Sequence, residues 1–501
     1  MLPRSAAVSR VRRVVIVGGG TAGWMTAAGL SKSLGSNIDI TLVESDEIGT
    51  VGVGEAVIPL IKAFHTLLEL DEVEFLRAVN GTFKLGIEFE NWGRLGESYF
   101  HPFGNPGVET WAAQFHHYWL KARKRGETTS LEQCSPEASM AYAGKFTLET
   151  EPQLNYAYHF DAGRYAAILR QLAEGIGVKR VEGKVVDVAS DGETGFIESV
   201  QLESGATLEG DLFVDCTGFR GLLIEQVMEA GWEDWSHWLR NDRAVAMQSE
   251  LVSKPMPYTK STARSAGWQW KIPLQNRMGN GLVFCSDYLG EDEAVKYLTD
   301  NVEGAPLNEP RTIRFRTGRR SAQWVKNCVA VGLSSGFLEP LESTSIHLIQ
   351  NSVLRLVRLF PADGIEAAEV RQFNLETAKE IEQIRDFIIL HYKVTQRRDS
   401  PYWIDCSEMS VPDHLAHKIE LFETNARAVR DNAEMFLERS WAAVMLGQGL
   451  EPRRYHPFVD NLTDQQLDGL MTNVRTKIAG VVANSPTHDD FLKQLCGGGS
   501  L

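Results

Sequence analysis

The 501-residue chain contains no run of eighteen apolar residues, so it offers no candidate for a membrane-spanning helix. Positive charge is in deficit: 51 Lys and Arg against 66 Asp and Glu leave a net charge of -15. That balance argues against non-specific binding to nucleic acid. Cysteine is scarce, with only Cys134, Cys216, Cys285, Cys328, Cys406 and Cys496. None forms a CxxC pair or stands at zinc-ligand spacing from histidine, which excludes a disulfide framework and a zinc module and suits a reduced cytoplasm. No internal repeat is present. The basic start "MLPRSAAVSRVRR" precedes an apolar run too short and strand-like for a signal peptide. The only low-complexity piece, "GGGS" near the C-terminus, reads as a frayed end. What remains is 43% hydrophobic and 23% charged, the balance of a large globular protein of two or three modules.

Among what is present, "VVIVGGGTAGWMTAAGL" is the first informative stretch. Val14 to Val17 read as a buried strand. Gly18, Gly20 and Gly23 form GxGxxG around Thr21 and Ala22, and a small-residue helix follows. Glycines there let the backbone turn tightly and approach a pyrophosphate at the helix N-terminus. "IDITLVES" supplies a second strand ending in Glu44, at the distance from the glycines expected of a carboxylate that binds a ribose hydroxyl. Two later segments return to the same pattern. "ATLEGDLFVDCTGFRG" is a strand running into Asp215, and "KNCVAVGLSSGFLEPLESTSIHLIQNSV" is a strand, a glycine turn and a helix. These favour FAD over NAD. A second GxGxxG for NAD(P)H is absent, so flavin reduction is assigned to another protein. In the middle of the chain, "GWQWKIP" places Trp268 and Trp270 on one face of a strand, with Ile272 and Pro273 behind them. From that stretch alone, two aromatics packed in a core are the simplest explanation.

The chain resembles the flavin-dependent tryptophan/indole halogenases. The matching pieces are "GGGTAGWM", "VGVGEAVIP", "FKLGIEFENW", "FDAGRYAAIL", "DLFVDCTGFRGLLI", "GWQWKIP", "GRRSAQWVKNCVAVGLSSGFLEPLESTSI" and "HYKVTQRRDSPYW", in family order and reaching to about residue 450. The resemblance implies an α/β fold, with a Rossmann-like FAD-binding module of the flavin monooxygenase type packed against a mostly α-helical substrate module. It implies reduced FAD (FADH2) delivered by a separate flavin reductase, with O2 and bromide or chloride as co-substrates. Halide is oxidised to hypohalous acid, which passes through an internal tunnel to a small aromatic substrate. Confinement protects the thiols, amines and indoles that free hypohalous acid would attack.

The same resemblance assigns residues. Lys84, in "GTFKLGIEF", matches the essential lysine beside the tunnel end, which hydrogen-bonds hypohalous acid or carries a haloamine. Taken alone, a lone lysine is a solvated surface charge. Glu342, in "PLESTS", matches the glutamate that stabilises the arenium cation and takes the ring proton. Taken alone, it is a carboxylate at a helix start. Thr344 and Ser345 occupy the place of the family's halide-binding Thr-Gly pair. Serine keeps the backbone donor but reshapes the pocket. Glu55, Val185, Leu333 and Ile346 fall at flavin-contacting positions with Gly18, Gly20, Thr21, Ala22, Gly23, Glu44 and Asp215. Trp268, Trp270, Ile272 and Pro273 form the hallmark motif flanking the flavin. His101 and Phe103, in "SYFHPFG", match the indole-sandwiching pair, with Trp441 opposite.

One departure bears on the substrate. Tryptophan-specific members carry a Tyr-Tyr pair and a carboxylate that grip the amino-acid backbone. Here "ELFETNARAVRDNAEMFLERSW" has no such pair and reads as a shorter, charged helix. An unpaired zwitterion loses binding, so free indole or another electron-rich arene, with bromide favoured, is the expected substrate set. Residues 1–360 are expected to hold the FAD module, with about 85–155 inserted toward the substrate, and 361–501 the helical module. No flexible linker separates them. A homodimer is left open. The competing activities are a flavin-dependent hydroxylase, a catalytically silent flavin-binding protein and an NAD-linked dehydrogenase. The tryptophan motif with Lys84 argues against the first, Lys84 and Glu342 against the second, and missing substrate-dehydrogenase signatures against the third.

Overall fold

The computed structural model of the protein describes residues 10–48, 54–108, 110–151, 153–431 and 434–497. The basic residues 1–9 and most of the terminal glycine-serine stretch lie outside the described residues. The architecture is α/β. Strand Arg13–Val17 is apolar and buried at four of its five positions, and it sits inside a six-stranded sheet. The spatial order is Trp324–Val325, Cys328–Ala330, Leu212–Asp215, Arg13–Val17, Asp39–Glu44, Lys179–Glu182. All neighbours are parallel except the short hairpin 324–330 at one edge. Runs of Val, Ile and Leu suit a parallel sheet covered on both faces. Helix Thr21–Leu34 follows the first strand and packs against helices Ala162–Gly175 and Ser345–Arg358.

A second, seven-stranded sheet stands beside the first. Its order is Arg311–Arg314, Arg243–Ser249, Met278–Phe284, Gly267–Pro273, Thr259–Arg264, Gly86–Glu90, Ser98–Pro102. The tryptophan motif is therefore its central strand. The 85–155 stretch supplies its last two strands and the helices Phe115–Lys124 and Pro136–Tyr142. Beyond residue 361 the described elements are helical, led by the 27-residue helix Ala367–Lys393. That helix shares one apolar core with the central sheet: Ile87, Trp268, Phe387, Tyr402 and Trp441 belong to a single buried cluster. Among the described residues no helix is long and apolar enough to cross a membrane. All six cysteines are free.

One local expectation fails. The stretch 420–441 is not one helix. Helix Asp413–Asn425 stops at Ala426, whose φ of 56° is left-handed, and helix Glu438–Gly447 starts afresh. Tertiary contacts hold the intervening chain. Lys418 Nζ donates to both Glu434 carboxylate oxygens, at 2.5 and 2.6 Å, in a buried pair. Phe436 stacks on Phe387 at 3.7 Å. The helix periodicity was outbid by burial of Phe436.

Candidate functional site

A cavity of about 1060 Å³ opens at the C-terminal ends of the parallel strands, the usual ligand position in such sheets. Glycine shapes its first wall. A Cβ at Gly18 would overlap the Cys216 carbonyl, one at Gly19 the Glu44 carboxylate, and one at Gly23 the Gly18 carbonyl. Gly23 thus serves helix-to-strand packing and does not face the cavity, whereas Gly18, Gly20, Thr21 and Ala22 do. Helix Thr21–Leu34 begins there with Gly20 as N-cap, no capping side chain and no acidic residue in its first turn. Its first amides are left for an anion. Glu44 stands on the wall, and Arg180 Nε donates to its Oε1 at 2.6 Å. Val185, Leu333 and Ile346 line the same space. Glu55 lines it too, and desolvation raises its carboxyl to about 7.

Asp215 departs from the expected cofactor contact. It is fully buried and does not line the cavity. Its Oδ2 accepts the Leu223 and Ile224 amides at 2.7 and 2.8 Å, and its Oδ1 accepts the Thr217 amide and hydroxyl at 2.9 and 2.7 Å. All that capacity goes into bending residues 216–224 around the cavity.

The tryptophan strand makes the facing wall. Trp268, Trp270 and Ile272 all reach the cavity, as alternation by two requires. The two indole rings lie 5.9 Å apart. The Trp270 ring covers Gly281, where a Cβ would overlap it. Trp268 Nε1 donates to Glu339 Oε2 at 2.8 Å, where Tyr392 Oη (2.6 Å) and Asn241 Nδ2 (2.9 Å) also donate. Burial raises the Glu339 carboxyl. Pro273 does not line the cavity; its carbonyl accepts the Thr82 hydroxyl at 2.7 Å.

The segment 340–346 divides this cavity from a second group of side chains. Leu341, Ser343 and Ser345 face the cavity, while Glu342 and Thr344 are buried away from it. Ser343 has a left-handed φ of 59°, uncommon for a non-glycine residue. Its hydroxyl accepts from Lys84 Nζ at 2.7 Å. Lys84 also reaches the Val57 carbonyl at 3.3 Å and stands 5.1 Å from the Phe103 ring centroid. It is fully buried, contrary to the surface-charge alternative. Desolvation lowers its ammonium to about 7, against an opposing pull from Glu342. Glu342 lies between two imidazoles. His101 Nδ1 is 3.0 Å from both carboxylate oxygens, and His391 Nε2 is 2.8 Å from Oε1. Burial alone would raise the Glu342 carboxyl; the two imidazoles outweigh it and hold it at about 2.

His101 sits on strand Ser98–Pro102 rather than in a loop. Trp441 packs edge-on to Phe387 at 5.0 Å, and Phe387 lies 5.8 Å from the His101 ring. Lys84, Glu342, His101, Phe103 and Trp441 are therefore assembled behind the 340–346 segment. Thr344 is the N-cap of helix Ser345–Arg358, again with no capping side chain and no acid in the first turn. Of the Thr344-Ser345 pair, only Ser345 touches the cavity. Sequence reasoning missed His391, Phe387 and Ser343. The first two hide in an amphipathic helix pattern, and Ser343 carries no signal beyond its place after Glu342.

The cavity fits FAD. Its glycine cradle admits no Cβ, its helix N-terminus is uncapped, and its volume is at the large end for small-molecule sites. Comparison with known proteins agrees. A family model described as tryptophan halogenase matches residues 13–464. The chain is 36% identical to a tryptophan 6-halogenase, SttH, of Streptomyces toxytricini, over 96% of this chain and 98% of that one. It is 35% identical to a tryptophan 7-halogenase, RebH, of Lentzea aerocolonigenes, over 97% and 99%. Among solved structures, a flavin-dependent halogenase from Xanthomonas campestris, Xcc4156, is 48% identical with a TM-score of 0.96, over 98% of this chain and 100% of that one. Another from Brevundimonas sp. BAL3, BrvH, is 46% identical with a TM-score of 0.93, over 97% and 100%.

Proposed function

The chain belongs to the tryptophan halogenase family, and from that premise we propose that it halogenates an electron-rich arene of the indole type, with bromide favoured over chloride. Bound FAD, supplied reduced by a separate reductase, contributes the two-electron oxidation of halide by O2 to hypohalous acid. The remaining work belongs to the chain's own residues. The observation that carries the reading is the two-faced segment 340–346. It puts Ser343 on the cavity and Glu342 beside the aromatic residues, with Lys84 joined to Ser343 between them.

On this reading Lys84 holds the oxidant. An ammonium near neutrality donates hydrogen bonds that sharpen the electrophile and, when neutral, offers a lone pair. Glu342 is held ionised, so it stabilises positive charge on the ring and accepts its proton. The sum is arene plus hypohalous acid giving haloarene and water. On this reading Phe103, His101 and Trp441 would receive the flat indole ring, beside Phe387, which contacts both His101 and Trp441. The uncapped helix start at Ser345 supports assigning the halide to its amides. Bromide is less strongly hydrated and more easily oxidised, so a Thr-Ser site penalises it less.

The absent Tyr-Tyr-carboxylate grip supports indole over free tryptophan. In the region where it would stand, Glu434 is already committed to Lys418. The proposed division assigns 1–360 to the FAD module, with 85–155 turned toward the substrate, and 361–501 to the substrate module. A reduced cytoplasm is the proposed setting. The test is a four-way competition of indole and tryptophan with bromide and chloride, using FAD and a reductase. Indole with bromide should give the highest kcat/KM. If tryptophan with chloride does, the amino-acid clamp comes from other residues and the substrate reading is wrong.

A further inference from the structure

The indole of Trp24 is buried behind the glycine cradle and does not line the cavity. It stands in the first turn of helix Thr21–Leu34, and its amide bonds back to the Gly20 carbonyl at 3.1 Å. Its Nε1 donates to Glu44 Oε2 at 3.3 Å. Glu44 ends strand Asp39–Glu44. Its other oxygen, Oε1, accepts from Arg180 Nε on the neighbouring strand at 2.6 Å. Arg170, on helix Ala162–Gly175, adds a charge 3.7 Å from Oε1 and lies 5.9 Å from the Trp24 ring centroid. Asp46 and Glu182 hold Arg180 in turn, at 2.5 Å each. The carboxylate rests on the cradle itself: a Cβ at Gly19 would fall 1.6 Å from Oε2. A carboxylate accepts about four hydrogen bonds. Among the described residues the Glu44 side chain accepts two, one on each oxygen. What remains is about one lone pair per oxygen, which matches the two vicinal hydroxyls of a ribose.

We propose that Trp24 and Arg180 are positioning residues for the cofactor: gripping one oxygen each, they fix the Glu44 carboxylate so that its free lone pairs meet the ribose hydroxyls of the FAD adenosine. The inference rests on the reading of Glu44 as the ribose-binding carboxylate and names what holds it in place. Glu44 lines the cavity, whereas Trp24 and Arg180 do not, so both act through Glu44. The gain is preorganisation. A free glutamate side chain samples several rotamers, and ordering it on binding costs affinity. Two donors on fixed elements, a helix and a strand, order it before the ligand arrives. The same helix offers its uncapped N-terminal amides to the pyrophosphate, so one rigid element sets both contacts. An indole suits the position because it joins a large buried ring to a single donor. Phenylalanine at 24 would keep an aromatic ring and lose the donor.

The experiment titrates the full chain, freed of cofactor, with FAD and with an FAD analogue whose adenosine lacks both ribose hydroxyls, followed by flavin fluorescence. The readout is the ratio of the two affinities, because lost packing or lost charge weakens both ligands alike. Wild type should prefer FAD by about 10- to 100-fold. Trp24→Phe and Arg180→Met should each cut that preference by about 3- to 10-fold. In Glu44→Ala the preference should vanish, and adding either substitution should change nothing further. A preference unaltered by Trp24→Phe or by Arg180→Met, with Glu44 intact, overturns the proposal and leaves the ribose reading standing. A wild-type ratio near one overturns the ribose reading and the proposal with it. Should Trp24→Phe not fold, Arg180→Met decides, since Arg180 lies on the edge strand of the sheet. No turnover is measured, so failure of the halogenase reading is a separate result.

Discussion

Replacing Lys84 with methionine should make the protein more stable and inactive. The side chain keeps its length and loses its charge. In the fold the ammonium is fully buried, and desolvation holds it at about 7 rather than 10.5. Keeping it protonated therefore costs the folded state about 5 kcal/mol, at 1.36 kcal/mol for each tenfold change in proton affinity. Methionine escapes that cost. It also leaves the Ser343 hydroxyl and the Val57 carbonyl without a donor, which returns about 1–3 kcal/mol. The variant should gain about 2–4 kcal/mol below pH 7.

The gain has a signature in pH. Between about 7 and 10.5 the unfolded chain binds a proton at this lysine that the folded chain does not. Wild-type stability contributed by this group therefore rises with pH through that window, and methionine has no such rise. Urea unfolding of both proteins at about pH 6 and about pH 9 measures it, with midpoints compared because a chain this large need not unfold in one step. The gap should be widest in acid and shrink in alkali. A Lys84→Met protein no more stable than wild type in acid, or a gap independent of pH, refutes the argument that a desolvated cation sits here. Halogenation should be lost, while FAD binding and peroxide release from the reduced cofactor persist.

The other predictions address the remaining parts. Glu342→Gln should lower halogenation by about 10²–10⁴-fold without changing flavin affinity, since an amide cannot take the ring proton; product formation under excess reductase measures it. Gly19→Val should abolish FAD binding, read by flavin fluorescence, because its Cβ would overlap the Glu44 carboxylate. The purified chain alone should not oxidise NADPH, and an added flavin reductase should start turnover; efficient NADPH oxidation by the single protein would contradict the two-component reading.

Parts of this molecule were legible from sequence for reasons of geometry. The glycine cradle was, because a backbone that must touch a pyrophosphate tolerates no side chain, and that constraint is written in consecutive residues. The tryptophan strand was, because a period of two fixes one face: Trp268, Trp270 and Ile272 do reach one cavity. Lys84 and Ser343 were not, since 259 positions separate two groups only 2.7 Å apart. No spacing rule joins them; family resemblance pointed to Lys84 and Glu342, and the fold supplies their meeting. Asp215 was misplaced because a strand-end carboxylate looks the same whether it binds a ligand or its own loop. The break at Ala426 escaped because helix propensity is local, whereas burial of Phe436 against Phe387 and of Lys418 against Glu434 is not.

Three costs fall where the two sides of the site meet. Ser343 is held in a left-handed conformation, Lys84 is a desolvated cation, and Glu339 keeps one buried oxygen without a partner behind Trp268. Each departs from what stability alone selects. The helices that start at Thr21 and Ser345 have no side-chain cap, like several others among the described residues. Both ends open on the same cavity, and on the proposed function their amides would serve two anions, a pyrophosphate and a halide. The seven-residue segment 340–346 turns Pro340, Leu341, Ser343, Ser345 and Ile346 to the cavity and keeps Glu342 and Thr344 out of it. A continuous wall there would separate oxidant from arene. A wide opening would let oxidant escape. On the proposed function, this short turn, pinned through one serine to one buried lysine, would let a small neutral molecule be handed across while the large cofactor stays on its own side.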